Sequence, residues 1–493
     1  MIAAHLPALQ VVVPLISAPL CLVLRRPRAA WAVALAVSWF ALAVALSLLV
    51  EVLVGGPISY PIGDWAAPWG IEYRVDRVSA LVLVIVTAIG AVLMPFARTS
   101  VAHEIASDRA YLFYTMYLLC LTGLLGIAIT GDVFNLFVFL EISSLSSYVL
   151  ISIGQDRRAL SAAYNYLVMG TVGATFYVIG VGMLYMMTGT LNMADLATRL
   201  PAVADTRTIL MALAFLTVGL SLKLALFPLH MWLPNAYTHA PSVVTAFLAA
   251  TATKVAVYAL IRIYFTVFGE VDLFESTPMG PILMVLALTG MFTASAVAIF
   301  QNNLKRMLAY SSIAQIGYMV LGLSFTSVTG LAGGIIHLFN HALMKNALFL
   351  ALGCVVLRIG TVHIDGFQGL GRRMPLTMAA FVVGGLSLIG VPLTVGFISK
   401  WYLVQAALEK GCWLIAVLIV MSSLLAVIYV WRVVEVAYFR PVPEGAAAVE
   451  EAPLSMLLPT WIMAGASIYF GIDATGTLEV ARGAAEFLVG GAP

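Results

Sequence analysis

The sequence predicts an all-α polytopic membrane protein with about 14 transmembrane helices. Three observations predict this fold class: 62% of the 493 residues are hydrophobic, only 10% are charged, and the mean hydropathy is +1.04. A soluble domain is roughly 45–50% apolar and about 25% charged, so lipid must be the solvent for most of this chain. The net charge of +2 gives no indication of a nucleic-acid partner.

Apolar stretches long enough to cross a membrane recur along the whole chain. A spanning helix needs roughly 20 mostly apolar residues. The candidate stretches are 3–24, 29–54, 78–98, 110–129, 132–153, 160–188, 206–238, 242–268, 281–300, 307–325, 330–358, 376–407, 413–439 and 455–472. The first stretch lacks a basic start and a small-residue cleavage site, so we expect it to be a retained helix.

The distribution of lysine and arginine between alternate loops predicts the orientation of the chain. One set of loops and helix ends collects Arg25, Arg26, Arg28, Arg98, Arg109, Arg157, Arg158, Lys305, Arg306, Arg358, Arg372, Arg373, Arg432 and Arg440. The opposite set holds Arg74, Arg77, Arg199, Arg207, Lys410 and Arg482. Because cytoplasmic loops are enriched in Lys and Arg, the first set is predicted to be cytoplasmic and both termini to lie outside. We call the first side the arginine-rich face. Arg262 is expected to snorkel to the end of its helix.

Five charged side chains lie well inside the predicted helices: Glu141, Lys223, Lys254, Lys345 and Lys400. The other two lysines, Lys305 and Lys410, are expected in loops. A charge at the centre of a spanning helix costs roughly 2.5–3.5 kcal/mol, so such residues are rare and usually functional. Any one of them could instead snorkel or form a structural ion pair. Because buried lysines can exchange protons near neutral pH, the five together indicate a line of proton transfer.

Three titratable residues, His337, His341 and Lys345, recur at intervals of four in HLFNHALMKNALF. Side chains at i and i+4 lie about 5–6 Å apart on one helix face, so they form a ladder along the helix. The two histidines could instead bind a metal, but no carboxylate or cysteine stands nearby in the sequence as a third ligand. A structural, hydrogen-bonded histidine is the stronger alternative for His337.

No cofactor is predicted. The chain has four scattered cysteines without CxxC or CxH spacing, which argues against an iron–sulfur cluster, a zinc site carried by cysteines, or a disulfide framework.

Two predicted helices, the seventh and the twelfth, carry helix-breaking residues. The seventh reads LKLALFPLHMWLPNAYTHAPS and the twelfth reads GGLSLIGVPLTVGFISKWYL. Proline removes a backbone donor, and the freed carbonyls must then line a cavity or meet polar groups. Lys223 precedes the first break and Lys400 follows the second. Interrupted helices at matching places in two halves are typical of inverted-repeat transporters.

The breaks divide the chain into four predicted segments. Residues 1–109 hold helices 1–3, and 110–268 hold a first inverted repeat of helices 4–8. Residues 281–439 hold a second inverted repeat of helices 9–13, and 440–493 hold the last helix and the tail.

Several motifs carry a resemblance to a known family: GDVFNLFVFLEISSLSSY, LKLALFPLHMWLPNAYTHAPS, KRMLAYSSIAQIGY and HLFNHALMKNALF. From about residue 75 to about residue 440, the chain resembles the antiporter-like subunits of Mrp-type cation/proton antiporters, respiratory complex I and membrane-bound hydrogenases. The resemblance implies a fourteen-helix fold with two inverted five-helix repeats, working inside a larger complex in the plasma membrane of a prokaryote.

The resemblance also assigns roles to the membrane charges. Glu141 and Lys223 are similar to the family's paired glutamate and lysine, and Lys254 to its central lysine. His341 and Lys345 match the relay of the eleventh helix, and Lys400 matches the last charged residue of the line.

Within the family, the sequence most resembles the D-type subunit of Mrp-type antiporters. The phrases TKVAVYALIRIYFTVFG and FVFLEISSLSSYVL carry this likeness, and Lys400 stands where one complex I subunit has glutamate. The expected function is therefore proton translocation within a multisubunit Na⁺/H⁺ antiporter, an ion transporter rather than an enzyme. Two alternatives stay open: a proton-pumping subunit of a complex I or hydrogenase, which would make it part of a translocase, and a structural scaffold subunit.

The expected partners are other membrane subunits, lipid and protons, with Na⁺ as a further candidate. A sodium site needs several oxygen ligands, and this chain offers one mid-span carboxylate, so any sodium path is expected at least partly in a partner. The proton is expected to enter near Lys254 and the Glu141–Lys223 pair, and to move through the His341–Lys345 ladder to Lys400.

Overall fold

The computed structural model describes residues 3–271, 273–445 and 448–490. Within them, 13 helices are long and apolar enough to cross a membrane, and two shorter helices in series make a fourteenth crossing. The predicted class, an all-α polytopic membrane protein, is therefore confirmed. We call each crossing a span and number the spans in chain order.

The first seven spans follow the predicted stretches closely. They are Leu6–Leu24, Pro27–Gly55, Arg77–Glu104, Ala110–Ile129, Val133–Ser152, Arg158–Thr188, and span 7 in two pieces, Arg207–Leu224 and Trp232–His239.

The other seven spans begin with span 8, which is also in pieces. Span 8 consists of Ser242–Ala250, Ala252–Arg262 and a π-helical turn at Ile263–Val267. Spans 9, 10 and 11 are Met279–Ile299, Leu304–Ser324 and Val328–Ile359. Span 12 consists of Pro375–Ile389 and Val395–Glu409, span 13 is Trp413–Val434 with a π-helical turn at Glu435–Phe439, and span 14 is Leu454–Ile472.

Span 11 forms the centre of the protein. Every residue from Gly330 to Val355 is buried, and the helix packs against spans 3, 8, 10, 12 and 14. A helix that is apolar all round must be buried or face lipid, and here the neighbouring helices enclose it. The histidine–lysine ladder therefore lies away from lipid along its whole length.

The predicted breaks in spans 7 and 12 are confirmed. In span 12, Gly390 has a φ of +90°, which favours glycine because it lacks a Cβ atom. A Cβ at Gly396 would clash with the Ser387 carbonyl oxygen, so the second half-helix can approach the first only through glycine. Each break leaves backbone carbonyls at mid-span that need hydrogen-bond donors.

Span 8 has a third break that the sequence did not predict. The helix stops at Ala250 and restarts at Ala252, because Thr251 has φ −123° and ψ −59°, outside the helical range. No proline or glycine marks this position, so its sequence carries none of the usual signals of a break. The break lies three residues before Lys254.

Two smaller elements lie outside the spans. A hairpin pairs Ile58–Pro61 with Glu72–Val75 in the loop between spans 2 and 3. The tail forms an amphipathic helix, Thr475–Val489, that packs against spans 3 and 11. The four-segment division and the orientation stay predictions, and residues 1–2, 446–447 and 491–493 of its outer segments lie outside the described residues.

Candidate proton-transfer site

Glu141 and Lys223 form an ion pair between spans 5 and 7. Lys223 Nζ lies 2.9 Å from Glu141 Oε1 and donates a second hydrogen bond to Ser144 Oγ at 2.8 Å. The lysine side chain is 4% exposed and the glutamate 23% exposed. Lys223 is in the last turn before the break, where the carbonyl end of a helix favours a cation.

A small cavity of about 20 Å³ lies beside this pair. Its lining includes Ser144 and Lys223 on one side and Ala252 and Ala256 of span 8 on the other. A water molecule needs roughly 10–15 Å³, so the cavity has room for one. The pair therefore faces the helix of Lys254 across the space of a single water, without contacting Lys254 itself.

Lys254 is held by the unexpected break in span 8. Its Nζ donates to the Ala249 carbonyl oxygen and lies 3.4 Å from Thr253 Oγ1. The side chain is buried, and no carboxylate pairs with it in the part of the chain that the structure describes. The lysine thus meets a carbonyl released by the break in place of a counter-ion.

The ladder of span 11 contains two very different histidines. His337 is hydrogen bonded on both ring nitrogens, to Ser399 Oγ at 2.7 Å and to Gln315 Oε1 at 3.0 Å. His341 is also fully buried, yet neither of its ring nitrogens has a partner among the described residues. Since buried polar groups are nearly always satisfied, the His341 ring is a place where water is expected.

Lys345 and Lys400 are both held by backbone carbonyls. Lys345 Nζ donates to the Leu308 carbonyl oxygen at 2.8 Å and to Ser311 Oγ. Lys400 Nζ donates to the carbonyl oxygens of Leu388 and Ile389, at 3.1 and 2.8 Å, where the first half of span 12 ends. The negative end of that half-helix therefore serves as the partner of the Lys400 ammonium.

The structure brings five of the predicted residues into one buried line. His341 interacts electrostatically with Lys254, Lys345 and His337, and its ring stacks on that of His337 with centroids 6.0 Å apart. His337 in turn interacts with Lys400. The order along the line is Lys254, His341 with Lys345, His337, then Lys400. The Glu141–Lys223 pair stands at its beginning, behind the one-water cavity.

Span 10 supplies polar neighbours of the candidate residues that the sequence interpretation missed. Ser311, Gln315 and Tyr318 contact Lys345, His337 and Lys400 respectively; the Lys400 ammonium lies 4.8 Å from the centre of the Tyr318 ring. Their spacing of four and three residues in KRMLAYSSIAQIGY places them on one helix face, and this polar stripe was a usable signal.

Two expectations about single cations were wrong. Lys305 is the second residue of span 10 rather than a loop residue, and it is only 5% exposed. Arg262 does not snorkel: it is buried and forms an ion pair with Asp76 at the start of span 3, with Nη2 2.5 Å from Oδ1. Each cation is held by an oxygen that is distant in the sequence: the Ala240 carbonyl for Lys305 and the Asp76 carboxylate for Arg262.

No metal-binding group of three or more His, Cys, Asp or Glu side chains occurs within the described residues. In span 11, His337 is hydrogen bonded to Ser399 and Gln315, and the His341 ring stacks on the His337 ring.

Comparisons with known proteins identify the family. The model of the family "NADH:quinone oxidoreductase/Mrp antiporter, TM" matches residues 130–426. NADH-quinone oxidoreductase subunit N of Desulforudis audaxviator is 44% identical over 487 residues, covering 95% of this chain and 96% of that protein. The D-type subunit of the Na(+)/H(+) antiporter of Alkalihalophilus pseudofirmus is 32% identical over 398 residues, covering 81% and 79%.

Two solved structures have the same fold over nearly their whole length. A chain of the Mrp complex from Dietzia sp. DQ12-45-1b superposes with a TM-score of 0.90 at 26% identity, covering 99% of this chain and 98% of that one. A chain of an archaeal respiratory complex, the membrane-bound sulfane sulfur reductase, gives 0.89 at 31% identity, covering 98% of each.

The prediction that the sequence most resembles the D-type subunit of Mrp antiporters is wrong. Identity to the oxidoreductase subunit N is 44%, against 32% to the D-type antiporter subunit, and the first match spans more of both chains. The chain belongs to the family of antiporter-like membrane subunits found in NADH:quinone oxidoreductases and Mrp antiporters.

Proposed function

We propose that this protein is a proton-translocating membrane subunit of a redox-driven complex of the NADH-quinone oxidoreductase type. The observation that carries the proposal is the buried line from Lys254 to Lys400, whose lysines bind carbonyl oxygens and no carboxylate among the described residues. The 44% identity to an oxidoreductase subunit N favours redox coupling over sodium-coupled antiport.

The Glu141–Lys223 pair is the switch at the beginning of the line. While the two side chains are 2.9 Å apart, the carboxylate stabilises the ammonium form of Lys223. When the pair opens, a buried ammonium without a counter-ion is unfavourable, so its proton passes through the one-water cavity toward Lys254. Water beside the unpartnered ring nitrogens of His341 would then connect Lys254 with Lys345, and His337 would connect both to Lys400.

The exposure of Glu141 supports assembly with a partner subunit. A carboxylate that is 23% exposed at mid-span would face hydrocarbon if the chain were alone, at a cost of roughly 2.5–3.5 kcal/mol. A neighbouring membrane subunit that covers this face would remove the cost and could move the glutamate. The partners we propose are accordingly the other membrane subunits of the complex, together with lipid. No sodium site is proposed in this chain.

The test is proton translocation by the assembled complex in sealed vesicles, measured against quinone reduction. Lys254→Met should lower the number of protons moved per quinone reduced, while the complex still assembles. Lys410→Met, which changes an exposed lysine, is the matched control and should behave as wild type. Unchanged proton translocation in Lys254→Met would refute the proposal and favour a scaffold role.

A further inference from the structure

A cavity of about 300 Å³ opens on the arginine-rich face, where spans 3, 7, 8, 10 and 11 begin or end. Its lining includes five titratable side chains: His103, Glu104, Asp156, His239 and Lys305. These residues come from four separate places in the sequence, and none of them belongs to the buried line. The fold therefore gathers proton-exchanging groups around one opening.

Lys305 is the buried member of this group. Its ammonium donates to the Ala240 carbonyl oxygen at 3.0 Å, and this is its single hydrogen bond within the described part of the chain. An ammonium has three N–H donors, so two remain for water in the cavity. The carboxylates of Glu104 and Asp156 attract it electrostatically without forming an ion pair among the described residues.

The other groups are positioned around Lys305 from the rim. Asp156 Oδ2 lies 3.0 Å from His239 Nδ1, and both side chains are partly exposed. Glu104 Oε2 accepts hydrogen bonds from Ser242 N and Oγ at 2.8 and 3.0 Å, which fixes it at the first turn of span 8. The rim thus presents a partly exposed histidine–carboxylate pair and a second carboxylate that is held by Ser242.

Span 10 connects this cavity to the buried line. Lys345 Nζ is bound to the Leu308 carbonyl oxygen, and Leu308 follows Lys305 by three residues. At a rise of about 1.5 Å per residue, the two positions are separated by about 5 Å along the helix. Lys345 is therefore a member of the line that binds a carbonyl about one helical turn from a residue lining the cavity.

We propose that this cavity is the proton entrance from the arginine-rich face, with Lys305 as the first buried acceptor and Lys345 as the next. The inference rests on the proposed function, and it moves the entrance from the Glu141–Lys223 end to the middle of the line. In the uptake step, a neutral Lys305 amine forms an N–H bond as an O–H bond of a hydronium ion in the cavity breaks. The resulting ammonium then releases a proton, which moves through water toward Lys345.

A structural role for Lys305, holding the end of span 7 through Ala240, makes a different prediction. Arginine keeps the positive charge and the donor to Ala240 but does not release its proton in proteins. We expect both Lys305→Met and Lys305→Arg to lower protons moved per quinone reduced to the level of Lys254→Met. Recovery of wild-type translocation in Lys305→Arg, or no loss in Lys305→Met, would overturn the proposal.

The same vesicles separate this proposal from the proposed function. If Lys254→Met lowers the protons moved per quinone reduced and Lys305→Met does not, the proposed entrance is wrong and the proposed function stands. If neither substitution lowers this ratio, the proposal that this chain translocates protons is wrong. Lys410→Met and Lys410→Arg are the matched controls for both substitutions.

A second test does not depend on how Lys305 variants fold. Gln155 lines the cavity and is exposed, whereas Arg157, two residues away, is exposed outside its lining. Each is replaced by cysteine in a Cys412→Ser background, and the assembled complex is treated with a bulky maleimide. Labelling at Gln155→Cys should lower proton translocation, and labelling at Arg157→Cys should not. Full labelling at Gln155→Cys without any loss would overturn the proposal.

Discussion

The buried ion pair between Asp76 and Arg262 allows a quantitative prediction about stability. It joins Asp76, the residue just before span 3, to Arg262 near the end of span 8, and both side chains are almost fully buried. Asp76 also accepts a hydrogen bond from Ser79 N at 3.0 Å as the cap of span 3. Asparagine caps helices about as well as aspartate, so Asp76→Asn removes the charge and leaves the cap.

The magnitude follows from what remains around Arg262. Its other acceptors are Ser79 Oγ at 2.7 Å, Tyr258 Oη at 2.8 Å and Thr266 Oγ1 at 3.3 Å, and none of them carries a charge. Removing one partner of a buried pair leaves an uncompensated charge and costs roughly 3–5 kcal/mol. We expect Asp76→Asn to lower the free energy of unfolding by about this amount.

The assay is a double-mutant cycle on the purified complex, with thermal unfolding followed by size-exclusion chromatography. Arg262→Met should also destabilise, whereas the double variant Asp76→Asn/Arg262→Met should lose much less stability than the sum of the single losses. The reasoning is refuted if the two losses simply add, because additivity would mean that the two side chains do not stabilise each other.

The same pair predicts how this stability depends on pH. Burial alone would raise the pKa of Asp76, but the Arg262 guanidinium, the Ser79 backbone N–H and Arg74 together lower it below its ordinary value. A lowered pKa adds stability that is present above the unfolded-state pKa of about 3.9 and is lost as the pH falls through the folded-state pKa. The Tm difference between wild type and Asp76→Asn should therefore be constant from about pH 7 to about pH 5 and shrink below about pH 4.

Three further predictions concern the Glu141–Lys223 pair, the break in span 12 and His337 of the line. Glu141→Gln keeps a hydrogen-bond acceptor for Lys223 but removes the charge, so proton translocation should fall in an assembled complex, while Glu51→Gln on the exposed surface should leave it unchanged. Gly396→Ala places a Cβ against the Ser387 carbonyl oxygen and should lower the Tm of the complex; Gly465→Ala, with no atom within 4 Å of the added carbon, should not. Gln315→Leu removes the oxygen 3.0 Å from His337 Nε2 and should slow proton translocation without changing the amount of assembled complex, and an unchanged rate would contradict a role for His337 in the line.

Much of this protein was determined by the sequence alone. The membrane fold follows from composition, because only lipid can surround so many apolar side chains. The breaks in spans 7 and 12 follow from proline and glycine, since these residues cannot continue a helix normally. The membrane charges could also be recognised in the sequence, because Glu141 and Lys223 lie within long apolar stretches where a charged residue is unusual.

Other features were decided only by the tertiary structure. The break before Lys254 has no local signal, because neither proline nor glycine stands at Thr251, where the backbone leaves the helical range. Lys305 looked like a loop residue because the chain around it is polar, yet its environment comes from spans 3, 7 and 8, which are distant in sequence. Membership of the family could be read from motifs, but the greater likeness to the oxidoreductase subunit than to the antiporter subunit depends on identity spread over the whole chain.

The features that the sequence determined differ from those that the fold decided in the range of the interactions that produce them. Hydropathy and helix breaking act within one or two turns, so a short stretch of sequence contains them. Lys345 is held by the Leu308 carbonyl of span 10, which only helix packing brings beside it. Lys254 and Lys400 are held by carbonyls of their own spans, at breaks whose backbone geometry only the folded structure shows.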